Sequence, residues 1–266
     1  MTASNSHISE HFLQYVIKGK TSADPSMVAF RNPNNFRAGQ LHIFQDQWEN
    51  LLSANQSEKS GEILSWITNK VEVSQYFRHF NGQFKGENYN CPKPPSRLFA
   101  NHPSCKQFTE FISRAILERL STGAISLWGK VGVVDPPHLV MPLTVEPNKP
   151  RLCNDKRFLN LWMVDKPFKL DTLPDVPRYV SKDSFQSITD DKSGYDHVLL
   201  TNDSKTYFDF QWAGWYFVSN TIPFGWKLSA HVYHTIGSSA SHYFRSLGIP
   251  CSLYIDDRHI GQLAPP

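Results

Sequence analysis

Ser252-Leu253-Tyr254-Ile255-Asp256-Asp257-Arg258-His259-Ile260-Gly261 runs from apolar, β-prone residues into two adjacent carboxylates and out through a second β-prone run. The pattern predicts a tight β-hairpin with the Asp256-Asp257 pair at its tip. Two like charges side by side are costly without a cation. Sites that transfer phosphoryl groups with two metal ions cluster carboxylates for this reason. Acidic pairs at hairpin tips are also common as plain solvated turns. The pair therefore gains meaning only from a second carboxylate site upstream.

That second site is Phe185-Gln186-Ser187-Ile188-Thr189-Asp190-Asp191-Lys192-Ser193-Gly194-Tyr195. It reads as a strand leading into carboxylates and then into a helical turn. A carboxylate at a strand end is held by a rigid element yet still meets a ligand at the sheet edge. Two aromatic strands follow, Tyr207 to Trp212 and Trp215 to Ser219, and then the tight loop Pro223-Phe224-Gly225. Ser229 can cap a helix that buries Val232, Ile236, Ala240, Tyr243, Phe244 and Leu247 and stops at Gly248. Strand, helix and hairpin in this order could bring Asp190, Asp256 and Asp257 to one sheet edge.

Upstream, residues 138–154 read as a hairpin carrying Lys149 and Arg151 at or near its end, with Arg157 and Asn160 just beyond. Lys156, Lys166, Lys169, Arg178 and Lys182 add to a basic segment that suits a polyanion or a triphosphate, although a solvated face has the same composition. A helix is expected from Ser104 as N-cap to Gly123 as C-cap, burying Phe108, Phe111, Ile112, Ala115, Ile116 and Leu120. Before it, residues 1–40 read as a polar arm with a short helix from His7 to Ile17, and residues 41–80 as helical pieces. Residues 81–103, rich in Gly and Pro, read as a linker. The expected division is thus an arm and helical extension over 1–103 and a second unit over 104–266.

With 266 residues, 40% of them hydrophobic, the chain can bury a sizeable core. A net charge of +3 neither demands nor excludes nucleic acid. Cys91, Cys105, Cys153 and Cys251 form no C-x-x-C pair, which argues against a zinc or redox motif. No apolar stretch reaches the roughly 20 residues a membrane helix needs, and Met1 to Lys20 lacks a signal-peptide core. An intracellular location, in cytoplasm or nucleus, is the expectation.

From about Ala124 to Leu263 the motifs, in order, resemble the fingers and palm of a reverse transcriptase. Arg151-Leu-Cys-Asn-Asp-Lys-Arg157-Phe-Leu-Asn160 is similar to the fingers motif. Asp190-Asp-Lys-Ser-Gly-Tyr195 resembles the first catalytic motif, with its aromatic five residues after the Asp. Pro223-Phe-Gly225-Trp-Lys-Leu-Ser-Ala230 resembles the template-and-primer grip, and Tyr254-Ile-Asp-Asp257 the Tyr-x-Asp-Asp hairpin. The Pro-Phe-Gly form looks more like retrotransposons with long terminal repeats, or the DIRS type, than like non-repeat elements.

The resemblance implies an α+β right-hand polymerase fold: fingers and palm, a small antiparallel sheet with packed helices, and a helical N-terminal extension. It stops at Pro266, so the expected chain lacks a thumb and is either truncated or cut from a longer polyprotein. The implied activity is RNA-directed DNA polymerisation from dNTPs on a primed RNA or DNA template, with two Mg²⁺ ions, or Mn²⁺ in their place. Asp190 and Asp256 would hold the ions, with Asp257 auxiliary. Arg151 and Lys149 would meet the triphosphate. Tyr195 would sit under the sugar, and Phe224 and Gly225 would line the nucleotide pocket. Asp191 departs from the pattern, because neighbours on a strand face opposite sides and a core-facing Asp is costly unless paired. Two other readings stand beside this one: an inactive remnant that at most binds nucleic acid, and a two-metal nuclease or unrelated nucleotidyl transferase.

Overall fold

The computed structural model describes residues 36–55, 57–148, 150–180 and 182–261. The expected helix from His7 to Ile17 lies outside them. In chain order the elements that position the site are α1 (Gln45–Asn55), α2 (Ser60–Thr68), β1 (Phe80–Phe84), β2 (Glu87–Cys91), β3 (Arg97–Leu98) and α3 (Thr109–Thr122). There follow β4 (Ile125–Lys130), β5 (Leu139–Val140), β6 (Leu143–Glu146), β7 (Arg151–Asn154), the one-turn helix α4 (Arg157–Asn160) and β8 (Gln186–Asp190). The last are β9 (Phe210–Trp212), β10 (Trp215–Ser219), α5 (Ser229–Ser246), β11 (Cys251–Tyr254) and β12 (Asp257–Gly261). The result is a mixture of helices and small, mostly antiparallel sheets. No helix among the described residues is long and apolar enough to cross a membrane.

Three features depart from the sequence expectations. The Gly- and Pro-rich stretch read as a linker holds a hairpin, β1–β2, which turns at Lys85-Gly86 with φ of 49° and 86°. Such paired positive φ values suit the twist of a two-residue hairpin turn. Next, α3 begins at Thr109 rather than at Ser104, because Pro103–Gln107 forms a separate 3₁₀ turn. The third is the acidic hairpin, where the turn residues are Ile255 and Asp256 while Asp257 already belongs to β12 and pairs with Tyr254.

The main core explains why the early helices matter to the later sheets. Leu52 of α1, Ile63, Trp66 and Ile67 of α2, and Val232 and Ile236 of α5 are buried together with Phe158, Trp162, Phe208 and Trp226. The β1–β2 hairpin closes one side. Phe80 and Tyr89 meet the fully buried Trp162 edge-on, at ring centroids 4.9 and 5.5 Å away. Truncating such a ring costs about 3–5 kcal/mol. A second core lies between α3 and the β4-β10-β9 sheet, built from Ile112, Ile116, Ile125, Phe210 and Phe217.

The third sheet carries the acidic residues. Its order is β11-β12-β8, antiparallel throughout, so the hairpin's return strand is the central one. Leu253 of β11 and Ile236 of α5 are both buried, and α5 packs against β11. The helix therefore carries the chain back alongside β8, as the spacing implied.

Candidate active site

The register of β8 against β12 sets Asp190 directly opposite Asp257. Directly opposed residues share a face of the sheet, with Cβ atoms about 4.5–5.5 Å apart. Both are exposed, at the end of the ladder where the hairpin turns. Asp256 occupies the turn itself, outside the strand alternation. The backbone there is unusual. Ile255 holds φ at 59°, a value that β-branched residues rarely adopt. The Asp191 amide continues the ladder by donating to the Asp256 carbonyl at 3.1 Å.

Asp191 is paired, which resolves the anomaly in the sequence. The Tyr233 hydroxyl, from α5, donates to its Oδ2 at 2.6 Å. Burial, and then the Asp191 carboxylate beside it, push the Tyr233 phenol well above its usual range. Its proton is therefore firmly available for this bond. Gly194 makes room for the arrangement, because a Cβ there would stand 2.6 Å from the Tyr233 ring.

A cluster of aromatic and loop residues adjoins the carboxylates. The Tyr195 ring packs on Phe224 at 4.5 Å between centroids and meets Tyr233 at 5.5 Å. Burial raises the Tyr195 hydroxyl's pKa, and the Asp256 charge raises it further, so Asp256 and Tyr195 share one neighbourhood. Phe224 is 68% exposed, a large apolar surface offered to solvent. Gly225 follows with φ at 86°, a conformation glycine adopts freely.

Two sets of hydrogen bonds hold this neighbourhood in place, one from Asn160 of the Arg151–Asn160 motif and one from Arg119, which the sequence did not single out. Asn160, at the end of α4, donates to the Gly225 carbonyl at 2.8 Å and accepts from the Lys227 amide at 2.9 Å. It thus ties the Arg151–Asn160 segment to the Pro-Phe-Gly loop. Next to Tyr195, Asp196 is buried and takes a two-pronged hydrogen bond from Arg119 of α3, at 2.8 and 3.2 Å, and a third from the Thr221 hydroxyl at 2.9 Å. Asp196 and Arg119 lie 77 positions apart, with no local pattern to link them.

A cavity of about 410 Å³ opens beside the cluster, lined among others by Arg119, Leu152, Asn154, Ser193, Asp196 and Phe224. Of the expected nucleotide-contact residues, Tyr195, Phe224 and Gly225 are brought together. Arg151 is exposed on β7, on the opposite face of that strand from the cavity-lining Leu152 and Asn154. Arg157 is bound bidentately by Asp155, with contacts at 2.7 and 3.0 Å. Lys149 lies outside the described residues.

Whether these carboxylates suit a metal can be judged from their chemistry. Asp190 and Asp257 offer hard anionic oxygens on one face, and like charges directly opposite each other repel unless a cation lies between them. A divalent ion of the Mg²⁺ type fits that donor set. Among the described residues, no three His, Cys, Asp or Glu side chains already converge as a metal cage.

No protein-family profile matches the chain, and no curated protein matches it by sequence. Its fold, however, is similar to solved structures. The foamy viral protease-reverse transcriptase in complex with RNA/DNA hybrid aligns at a TM-score of 0.52 with 15% identity, covering 83% of this chain and 29% of the viral one. A dRH form of the same viral protein in complex with double-stranded DNA aligns at 0.50 with 16% identity, over 83% of this chain and 38% of the other. The chain thus spans well under half the length of these viral proteins, and the likeness is one of fold: reverse-transcriptase-like, with mixed helices and small antiparallel sheets.

Proposed function

We propose that the chain carries the fingers and palm of an RNA-directed DNA polymerase from a retroelement, of the long-terminal-repeat or DIRS type. The observation that carries this reading is the Asp190–Asp257 pairing at the sheet end, with Asp256 in the adjoining turn and the Tyr195–Phe224 pair alongside. The viral proteins of similar fold were captured with RNA/DNA hybrid and with duplex DNA, which supports a primed template as partner.

In this reading Asp190, Asp256 and Asp257 hold two Mg²⁺ ions. Bound there, the ions would lower the pKa of the primer 3′-hydroxyl and neutralise charge on the departing pyrophosphate. The protein's own part is placement. Tyr195, backed by Phe224 and steadied through Asp196, presents a flat ring to the sugar of the incoming dNTP and leaves no room for a 2′-hydroxyl. Gly225 lets the backbone come close to the nucleotide.

The test is primer extension on an RNA template with a DNA primer, dNTPs and Mg²⁺, comparing the chain with its Asp256→Asn variant. Incorporation that disappears in the variant is the expected result. No incorporation by either chain, with primed template still bound, would favour the second reading, a nucleic-acid-binding module without turnover. The absence of a preformed three-carboxylate cage among the described residues speaks for that reading.

A further inference from the structure

Two ionisable side chains that the proposed chemistry does not use are buried, Lys156 against Gly225 and Asp209 beside the strand at Met141. Lys156 is 1% exposed and Asp209 is fully buried. Neither the Lys156 Nζ nor either Asp209 oxygen has a hydrogen-bond partner among the described residues. The ammonium lies 5.3 Å from the centroid of the Phe208 ring. A charged group buried this way is costly, so its retention calls for a reason.

The reason lies in what Lys156 touches. The point a Gly225 Cβ would occupy lies 3.2 Å from the Asn154 carbonyl and 3.6 and 3.9 Å from the Lys156 Cγ and Cβ, so the end of β7 and the Lys156 stem together form the surface on which Gly225 rests. The Lys156 carbonyl accepts the Asn160 amide at 2.9 Å, and Asn160 in turn grips Gly225 and Lys227. Asp209 is anchored in the sheet, its carbonyl accepting the Met141 amide at 2.8 Å. We propose that Lys156 is a positioning residue for the nucleotide pocket: its stem supports Gly225, and its ammonium, drawn toward Asp209, holds that stem in place. The proposal rests on the polymerase reading for its functional consequence, though not for its structural one.

Burial pushes Lys156 down to about 7, with Asp209 and then Asp155 acting the other way and Arg119 adding to the fall. Burial also pushes Asp209 well above the carboxylate range, opposed by Lys156. Taken alone, the lowered Lys156 pKa favours the closed loop as pH rises and the raised Asp209 pKa disfavours it, so the two shifts oppose each other.

Three variants test this: Lys156→Ala removes the stem, Lys156→Met keeps a stem without charge, and Asp209→Asn removes the anchor. One readout needs no polymerase activity, namely the hydrogen-exchange protection of the Lys227 amide. Lys156→Ala should lower that protection about tenfold and raise the dNTP KM by a similar factor with kcat within about twofold, while Lys156→Met and Asp209→Asn should each fall between the native chain and Lys156→Ala. Native protection in a folded Lys156→Ala would overturn the proposal. Should that variant fail to fold, native protection in both Lys156→Met and Asp209→Asn would overturn it equally. Protection that responds as expected in a chain that incorporates nothing would remove the polymerase reading and leave the loop support standing.

Discussion

Asp190 faces Asp257 across a single rung of the β8–β12 ladder, while its neighbour Asp191 is turned toward Tyr233 on α5. Adjacent carboxylates thus serve opposite faces of one strand. Asp190→Asn should lower Mg²⁺-dependent incorporation by at least about a hundredfold, as expected when a metal-holding charge is lost. Asp191→Asn keeps an oxygen for the Tyr233 hydroxyl and should stay within about threefold of the native rate. Single-turnover incorporation checks both, and equal losses would reverse the assignment of the two carboxylates.

Asn160 ties α4 to the 225–227 backbone by two side-chain hydrogen bonds. Asn160→Ala deletes both, at about 0.5–1.5 kcal/mol each. The urea midpoint should fall accordingly. The dNTP KM should rise more than kcat falls, because the loop that lines the pocket is released while the carboxylates are untouched.

Arg119 and Asp196 present a different kind of dependence. The arginine side chain is 32% exposed and the aspartate 10%, so solvent screens the pair only in part. Arg119→Met leaves Asp196 with Thr221 as its remaining side-chain donor. Breaking a fully buried pair costs about 3–5 kcal/mol, and partial exposure should bring this one to about 2 kcal/mol. Guanidinium denaturation at pH 7 measures it. Arg119→Lys should recover less than half, since one ammonium cannot replace a two-pronged contact.

Three imidazoles give the fold a pH dependence of known sign. Burial lowers the pKa of His197, His231 and His234 below the ordinary histidine value. The unfolded chain then binds protons more readily than the folded one, so stability is full above about pH 6.5 and is lost as pH falls below it. His231, whose ring lies edge-on to Trp66, tolerates an apolar replacement by this logic. Denaturation midpoints from pH 7.5 to 5.5 should decline in the native chain and decline less in His231→Phe.

The acidic hairpin, the strand into Asp190, the helix between them and the aromatic β9–β10 hairpin were legible because period-two and helical patterns are local. The partner of Asp191 was foreseeable only as a need, since Tyr233 sits 42 residues away on a helix face read as apolar. Arg119 and the target of Asn160 were hidden for the same reason, because folding brings the partners near. The β1–β2 hairpin was misread because Gly82, Gly86 and the nearby prolines signalled a break. Yet Phe80, Gly82 and Phe84 alternate inward with Asn81 and Gln83 outward, as a half-buried strand should.

The shared core around Trp162 sets the smallest stretch that can fold by itself. Leu52, Ile63, Trp66, Phe80 and Tyr89 supply one wall of that core, while Phe158, Phe208 and Ile236 supply the other. A fragment beginning at residue 104 would keep every acidic residue of the site and lose the wall that keeps α5 dry. It should aggregate instead of folding. Helices from the stretch read as an extension thus share one core with the helix behind the carboxylate sheet.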